Sequence, residues 1–293
     1  MVKIKLKRFD FSLVPRDGRI ILVIGRRGSG KSTLLEDIMF RFSERLQDGF
    51  VLGMSPTQNS IDMMERHMPR ALIFEEGFSK ETFAKLLSLA ALIARKKKMR
   101  KGLLVMDDCN ADKDAFRGKV MRDAFYNGRQ YDLNILWAMH YCMDILPDLR
   151  TNVDFVFVLK ENIRKNKERL YNNFFGMFEK PDDFFRVMDQ CTENNECLVL
   201  DNTAPNSDPS QCLYWYKAKK AEDLPKFCLG KPIFFNLSRY YCKEDDDNGH
   251  EMLQVRIRPG QDHAGNDLCR AGKLPFANAN NPRIEYVEKA GND

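Results

Sequence analysis

The chain has 293 residues, 43% hydrophobic and 30% charged, with 47 basic and 42 acidic side chains that leave a net charge of +5. That length buries a sizeable core, as one large domain or one domain with an appendage. No stretch approaches the roughly 18 uncharged apolar residues of a membrane-spanning helix, and eight cysteines without a C-x-x-C pair lack zinc-site spacing, which favours free thiols in a reducing, cytosol-like compartment.

In chain order, Val2, Ile4 and Leu6 alternate with Lys3, Lys5 and Lys7, the pattern of a half-exposed strand and not of a signal peptide. Strands are predicted near 3–7, 10–14, 20–24, 50–54, 71–74, 102–106, 133–139, 153–159 and 196–200. Helices are predicted near 31–46, 59–67, 80–99, 113–126, 161–175 and 181–190. This alternation implies an α/β fold with a mostly parallel sheet between helices, a class that binds ligands at the carboxyl ends of its strands. After residue 220 prolines punctuate the chain. Strand-like pieces recur at 212–217, 233–237 and 252–257, and the sequence from about 259 is rich in Gly, Asn and Pro, as loops are. The expected organisation is a core domain at 1–220 and a partly irregular β/loop extension at 221–293. The extension has 10 basic and 12 acidic side chains, so the first 220 residues hold a balance of +7, which suits a polyanionic partner.

The most informative stretch is the run from Ile21 to Ile24 leading into Gly25-Arg26-Arg27-Gly28-Ser29-Gly30-Lys31-Ser32-Thr33. It is an apolar strand followed by G-x-x-x-x-G-K-S, the Walker A or P-loop pattern. The glycines let the backbone approach phosphates, successive N–H groups and the start of the next helix face the anion, Lys31 reaches the β/γ-phosphates and the Ser32 hydroxyl ligates Mg²⁺. Arg26 and Arg27 are either phosphate or neighbour contacts or simply solvated.

A second run, Gly102 to Met106, is a buried-strand pattern ending in Asp107 and Asp108, as a Walker B acid pair does. Asp107 is placed to hold Mg²⁺. Asp108 is placed to orient or deprotonate the attacking water, the alternative being a pair of capping acids. The paired acids favour hydrolysis over transfer to an acceptor. A guanine-reading N-K-x-D and the L-S-G-G-Q of transporter ATPases are missing, which leaves adenine by elimination. Two basic groups, 95–101 and Arg164, Lys165, Lys167 and Arg169, are either solvated helix surface or nucleic-acid contacts. A P-loop kinase of a small acceptor and a non-catalytic nucleotide switch or scaffold for DNA or capsid protein stay open as alternatives.

Gly25 to Ser32, the Ser55-Pro56-Thr57 after the second strand of the core, Leu104-Val105-Met106-Asp107-Asp108-Cys109, and Asn127 to Asp154 with its Leu-Pro-x-x-Arg-x-Asn-x-Asp together resemble the genome-packaging ATPases of large double-stranded-DNA viruses, the poxvirus-type branch of the FtsK/HerA superfamily. The resemblance covers roughly residues 10–200. It implies a RecA-like P-loop core, ATP and Mg²⁺, a homo-oligomeric ring (pentamer or hexamer) that drives duplex DNA into a preformed capsid, a capsid-vertex or inner-membrane partner, and work at virus assembly sites in the host cytoplasm with virion association. It also implies an arginine finger acting across the subunit interface, by position Arg129 with Arg150 as the second choice, the alternative for each being a surface or salt-bridging arginine. Where the family has a γ-phosphate-sensing Gln, this chain has His140, which either keeps the sensing role by donating a hydrogen bond or is a core histidine.

Overall fold

A computed structural model describes residues 6–95, 101–109, 118–142 and 145–241. Residues 1–235 form one compact unit, and the second unit, from Asn236, is described only to residue 241. The predicted strand at 252–257, most of the strand at 3–7, the first residues of the helix at 113–126 and most of the basic run 95–101 lie outside the described residues.

The core strands are β1 (Lys7–Arg8), β2 (Ile20–Ile24), β3 (Phe50–Met54), β4 (Ile73–Phe74), β5 (Gly102–Asp107), β6 (Leu133–Met139), β7 (Phe155–Val158), β8 (Glu196–Asp201) and β9 (Leu213–Lys217). They form one sheet in the order β1-β9-β8-β7-β2-β6-β5-β3-β4. The stretch from β7 to β4 is parallel throughout, and β8 joins it antiparallel to both β7 and β9.

Strands β2, β5, β6 and β7 are buried along their full length, as parallel strands covered on both faces must be. Their side chains alternate between two cores. Ile21, Val23, Val51, Leu103, Val105, Leu136 and Phe157 pack with α1 (Lys31–Ser43) and α2 (Gln58–Glu65). Ile20, Leu22, Leu52, Leu104, Trp137 and Val158 face the opposite core, shared with α3 (Lys80–Arg95), α4 (Lys119–Asn127), α6 (Arg164–Phe174) and α7 (Pro181–Cys191). Short helices α5 (Pro147–Arg150) and α8 (Pro209–Cys212) link strands. The fold is α/β, a mostly parallel sheet with helices on both faces.

Two expectations fail locally. Residues 10–14 form a 3-10 turn over Phe11–Leu13, capped by the Asp10 side chain accepting from the Ser12 amide, because Phe11 and Val14 are buried three apart and not two. The run 233–237 is helical, within α9 (Pro232–Tyr241). A short apolar run does not distinguish strand from helix, and Pro232 suits a first helical turn.

Candidate active site

Sheet register assembles the site. Ile24 of β2 pairs with Met139 of β6, and Asp107 of β5 pairs with Ala138 of the same strand. Gly25, His140 and Asp108 therefore leave the same carboxyl edge on neighbouring strands. The Gly25 amide donates to the Met139 carbonyl at 3.1 Å, which ties the start of the loop to the base of His140.

The loop from Gly25 to Gly30 turns tightly into α1. Gly30 caps α1 in the left-handed conformation (φ 98°), a geometry only glycine takes without strain. A Cβ on Gly25 would sit 2.5 Å from Ser29 Oγ and 3.0 Å from the Leu159 side chain, so the loop closes on itself with no room to spare. Ser29 Oγ donates to the Arg26 carbonyl at 2.7 Å and braces the turn. Arg26 is exposed, whereas Arg27 lines a cleft of about 520 Å³ with Gly28, Gly30, Lys31, Ser32, Thr33, Thr57, Asn59, Ser60, Asp108 and His140.

Lys31, buried on the first turn of α1, has its Nζ 3.4 Å from His140 Nδ1. His140 Nε2 lies 3.0 Å from Asp108 Oδ1. The ammonium beside Nδ1 suits the tautomer that accepts there and carries its proton on Nε2; the Asp108 contact is an ion-pair distance without hydrogen-bond alignment, and Asp108 Oδ1 is a buried acceptor with no hydrogen-bond partner among the described residues. Asp108 itself holds φ 52°, the left-handed region that Asp tolerates better than most residues and that recurs at functional sites.

Asp107 sits one layer deeper and is not part of the cleft lining. Its Oδ2 accepts from Ser60 Oγ at 2.7 Å, and Ser60 Oγ accepts in turn from Thr57 Oγ1 at 2.9 Å. Ser55 Oγ lies 3.1 Å from Thr57 Oγ1 and extends the hydroxyl chain. Burial raises the Asp107 carboxyl above its ordinary range and the Asp108 charge adds to this, against the Ser60 hydrogen bond and the Lys31 charge. Asp107 Oδ1 is buried with no hydrogen-bond partner among the described residues. An orphaned carboxylate oxygen behind Ser32 and Lys31 fits a hydrated divalent cation carried by phosphates. No cluster of three or more His, Cys, Asp or Glu disposed to hold a metal by protein ligands alone occurs among the described residues.

Arg129 stands at the other end of the sheet. It precedes β6, whose seven residues put it about 20 Å from the His140 end. Its guanidinium pairs with Asp154, as does Arg19 at 3.0 Å, while the Ile20 amide donates to the same carboxylate at 2.9 Å. This clamp joins the starts of β2, β6 and β7. Arg129 remains 56% exposed. Arg150 is buried and donates to Asn173.

The chain is 31% identical over 249 residues to Uncharacterized protein L437 of Acanthamoeba polyphaga mimivirus, covering 82% of this chain and 84% of that one. It is 31% identical over 252 residues to Uncharacterized protein 075L of Invertebrate iridescent virus 6, with 80% and 94% covered. The chain belongs to this viral family. No protein-family model matches it. Among solved structures, the fold of this chain resembles that of the genome packaging NTPase B204 of Sulfolobus turreted icosahedral virus 2 in complex with AMP, at TM-score 0.53 and 13% identity over 69% of this chain and 98% of that one. The DNA-packaging ATPase B204 of Sulfolobus Turreted Icosahedral Virus gives TM-score 0.53 at 14% identity over 70% of this chain and all of the other. At such identities the likeness is one of fold.

Sequence reasoning brought together Lys31, Asp108 and His140, and the fold places all three on one cleft. It passed over Ser60 and Asn59. The only local signal for Ser60 is its place three residues after Thr57, in the first turn of α2.

Proposed function

We propose that this chain is an ATPase that hydrolyses ATP with Mg²⁺ and, as a homo-oligomeric ring, drives double-stranded viral DNA into a preformed capsid. The observation that carries the reading is the convergence of Lys31, His140 and Asp108 on one cleft at the carboxyl edge of a parallel sheet, above a buried acid with an unused oxygen. The viral relatives and the fold held in common with a DNA-packaging ATPase supply the rest of the support.

In this reading the backbone amides from Gly25 to Thr33, with Arg27, cradle the phosphates, and Lys31 exchanges His140 for the β/γ-phosphate oxygens. Ser32 and Asp107 would hold Mg²⁺, which neutralises phosphate charge when bound. Asp108 positions the attacking water and takes its proton. His140, released by Lys31, reports the γ-phosphate to Asp108 through its two ring nitrogens. Arg129 leaves Asp154 to face a neighbour's nucleotide.

The deciding experiment is ATP turnover of the full chain with and without duplex DNA across a salt series. Turnover that rises with duplex, falls steeply with salt because the contacts are to phosphates, and vanishes in Lys31→Ala is the expected result. Equal turnover with and without duplex at low salt removes the motor, and nucleotide binding without turnover removes the enzyme.

A further inference from the structure

A second cleft, larger than the one beside Lys31, lies elsewhere on the sheet. It lies at the opposite, amino-terminal edge of the sheet, holds about 810 Å³, and is lined in part by Phe11, Val14, Arg16, Arg41, Arg45 and Lys101. Four cations reach it from three separate segments: Arg16 from the loop before β2, Arg41 and Arg45 from the last turn of α1 and just beyond, and Lys101 from the residue before β5. The acids Glu44 and Asp48 also line it, and Asp48 is 98% exposed, 3.9 Å from Lys231.

Cations at a helix carboxyl end answer the helix dipole, and that accounts for Arg41 and Arg45. It does not account for Arg16, which lies in the loop before β2. Arg45 is structural. Its guanidinium donates to the carbonyls of Phe11 and Val14 at 2.7 and 2.8 Å, which pins the 11–16 loop against α1 and holds Arg16 beside it. Burial, and then the nearby Arg16 charge, push the Arg45 guanidinium below its ordinary value. Arg41 reaches Asp37 at 3.4 Å, yet its Nε is buried without a hydrogen-bond partner. The side chains of Arg16 and Lys101 have no hydrogen bond or ion pair among the described residues. The Arg16 and Arg45 charges oppose one another, and an anion seated between the cations of the cleft would relieve that repulsion.

We propose that this rim cleft is a second anion site that binds phosphate groups, with Arg16, Arg41 and Lys101 as its contacts, independent of the P-loop. The phosphates could belong to a nucleic-acid backbone or be free in solution, and the test separates the two.

The test uses the full chain carrying Lys31→Ala, so that the P-loop contributes little phosphate affinity and ATP turnover plays no part. Two probes are titrated, inorganic phosphate by calorimetry and a 20-base-pair duplex by fluorescence anisotropy over a salt series. The comparison protein adds Arg16→Gln and Lys101→Gln, two side chains without structural partners, with circular-dichroism melting to show that the fold is kept. If the backbone is the ligand, the added pair weakens duplex binding about tenfold or more and lowers the salt slope by about two, one per lost phosphate contact. If free phosphate is the ligand, the same pair abolishes the calorimetric signal and leaves the duplex unaffected. Binding of both probes that ignores the pair, or no binding of either, overturns the proposal. Because nucleotide turnover is absent throughout, the result stands apart from that of the ATPase reading.

Discussion

Asp107 is held against its own solvation. Its folded carboxyl titrates above the usual 3.8 because burial disfavours the charge. Folding then takes up a proton between 3.8 and the raised value, so stability falls as pH rises through that window and the full penalty persists above it. Asp107→Asn removes the penalty and keeps a polar group for Ser60. The nucleotide-free variant therefore melts at a higher temperature than the parent at neutral pH, the difference closes as pH falls toward 3.8, and turnover is lost. A melting series from pH 4 to 8 checks the sign, and a variant less stable than the parent at pH 7 refutes the account. His140 offers a second test at this scale. A glutamine there can accept from Lys31 and donate to Asp108, so His140→Gln retains most of kcat. His140→Leu can do neither and loses on the order of 10²-fold in kcat, the usual cost of one stabilising donor. Equal turnover in the two variants assigns the ring a packing role only.

Elements bring these residues within reach, and β6 does most of it. It starts at Leu133 beside the Arg129–Asp154 clamp and ends at Met139 beneath His140, so one strand spans both ends of the molecule's chemistry. Trp137, fully buried in its middle, packs edge-to-face on Phe125 of α4. Trp137→Ala should cost about 3–5 kcal/mol by denaturant unfolding and depress turnover without touching a ligand. A loss under 1 kcal/mol would mean that the core around β6 relaxes freely. This strand was legible from sequence because Ile135 to Met139 is an unbroken apolar run with turn residues before it at Asn127-Gly128. The segments at 10–14 and 233–237 were not, since five residues do not separate a period of two from one of three or four. Ser60 was invisible for a different reason: its partner is 47 positions away, and only sheet pairing of β3 with β5 brings α2 to Asp107.

For the molecule as a whole, the two sheet edges divide the work. The carboxyl edge carries the cleft proposed for the nucleotide, and the amino edge carries Arg129 and the basic rim cleft. Arg129 cannot serve its own Lys31, so the motor reading requires a neighbour. Arg129→Ala should bind ATP normally and turn it over poorly. Mixed with Lys31→Ala subunits it should regain part of the activity, because each variant then lends the other an intact half-site. Activity that never exceeds the sum of the separate proteins removes the action in trans. Arg19 remains on Asp154 after the substitution, so the clamp keeps one cation and the fold survives.

The sequence by itself determined the α/β class and displayed the P-loop pattern, the acid pair and a histidine at the end of its strand, because each is written in contiguous residues whose local geometry needs no distant partner. Only the tertiary structure decided that Asp107 lies behind Ser60, that His140 bridges Lys31 and Asp108, that Arg129 faces away from both, and that four cations share a rim cleft. Those facts depend on strand order and register, and register is fixed by the packing of the two cores together and not by any one segment.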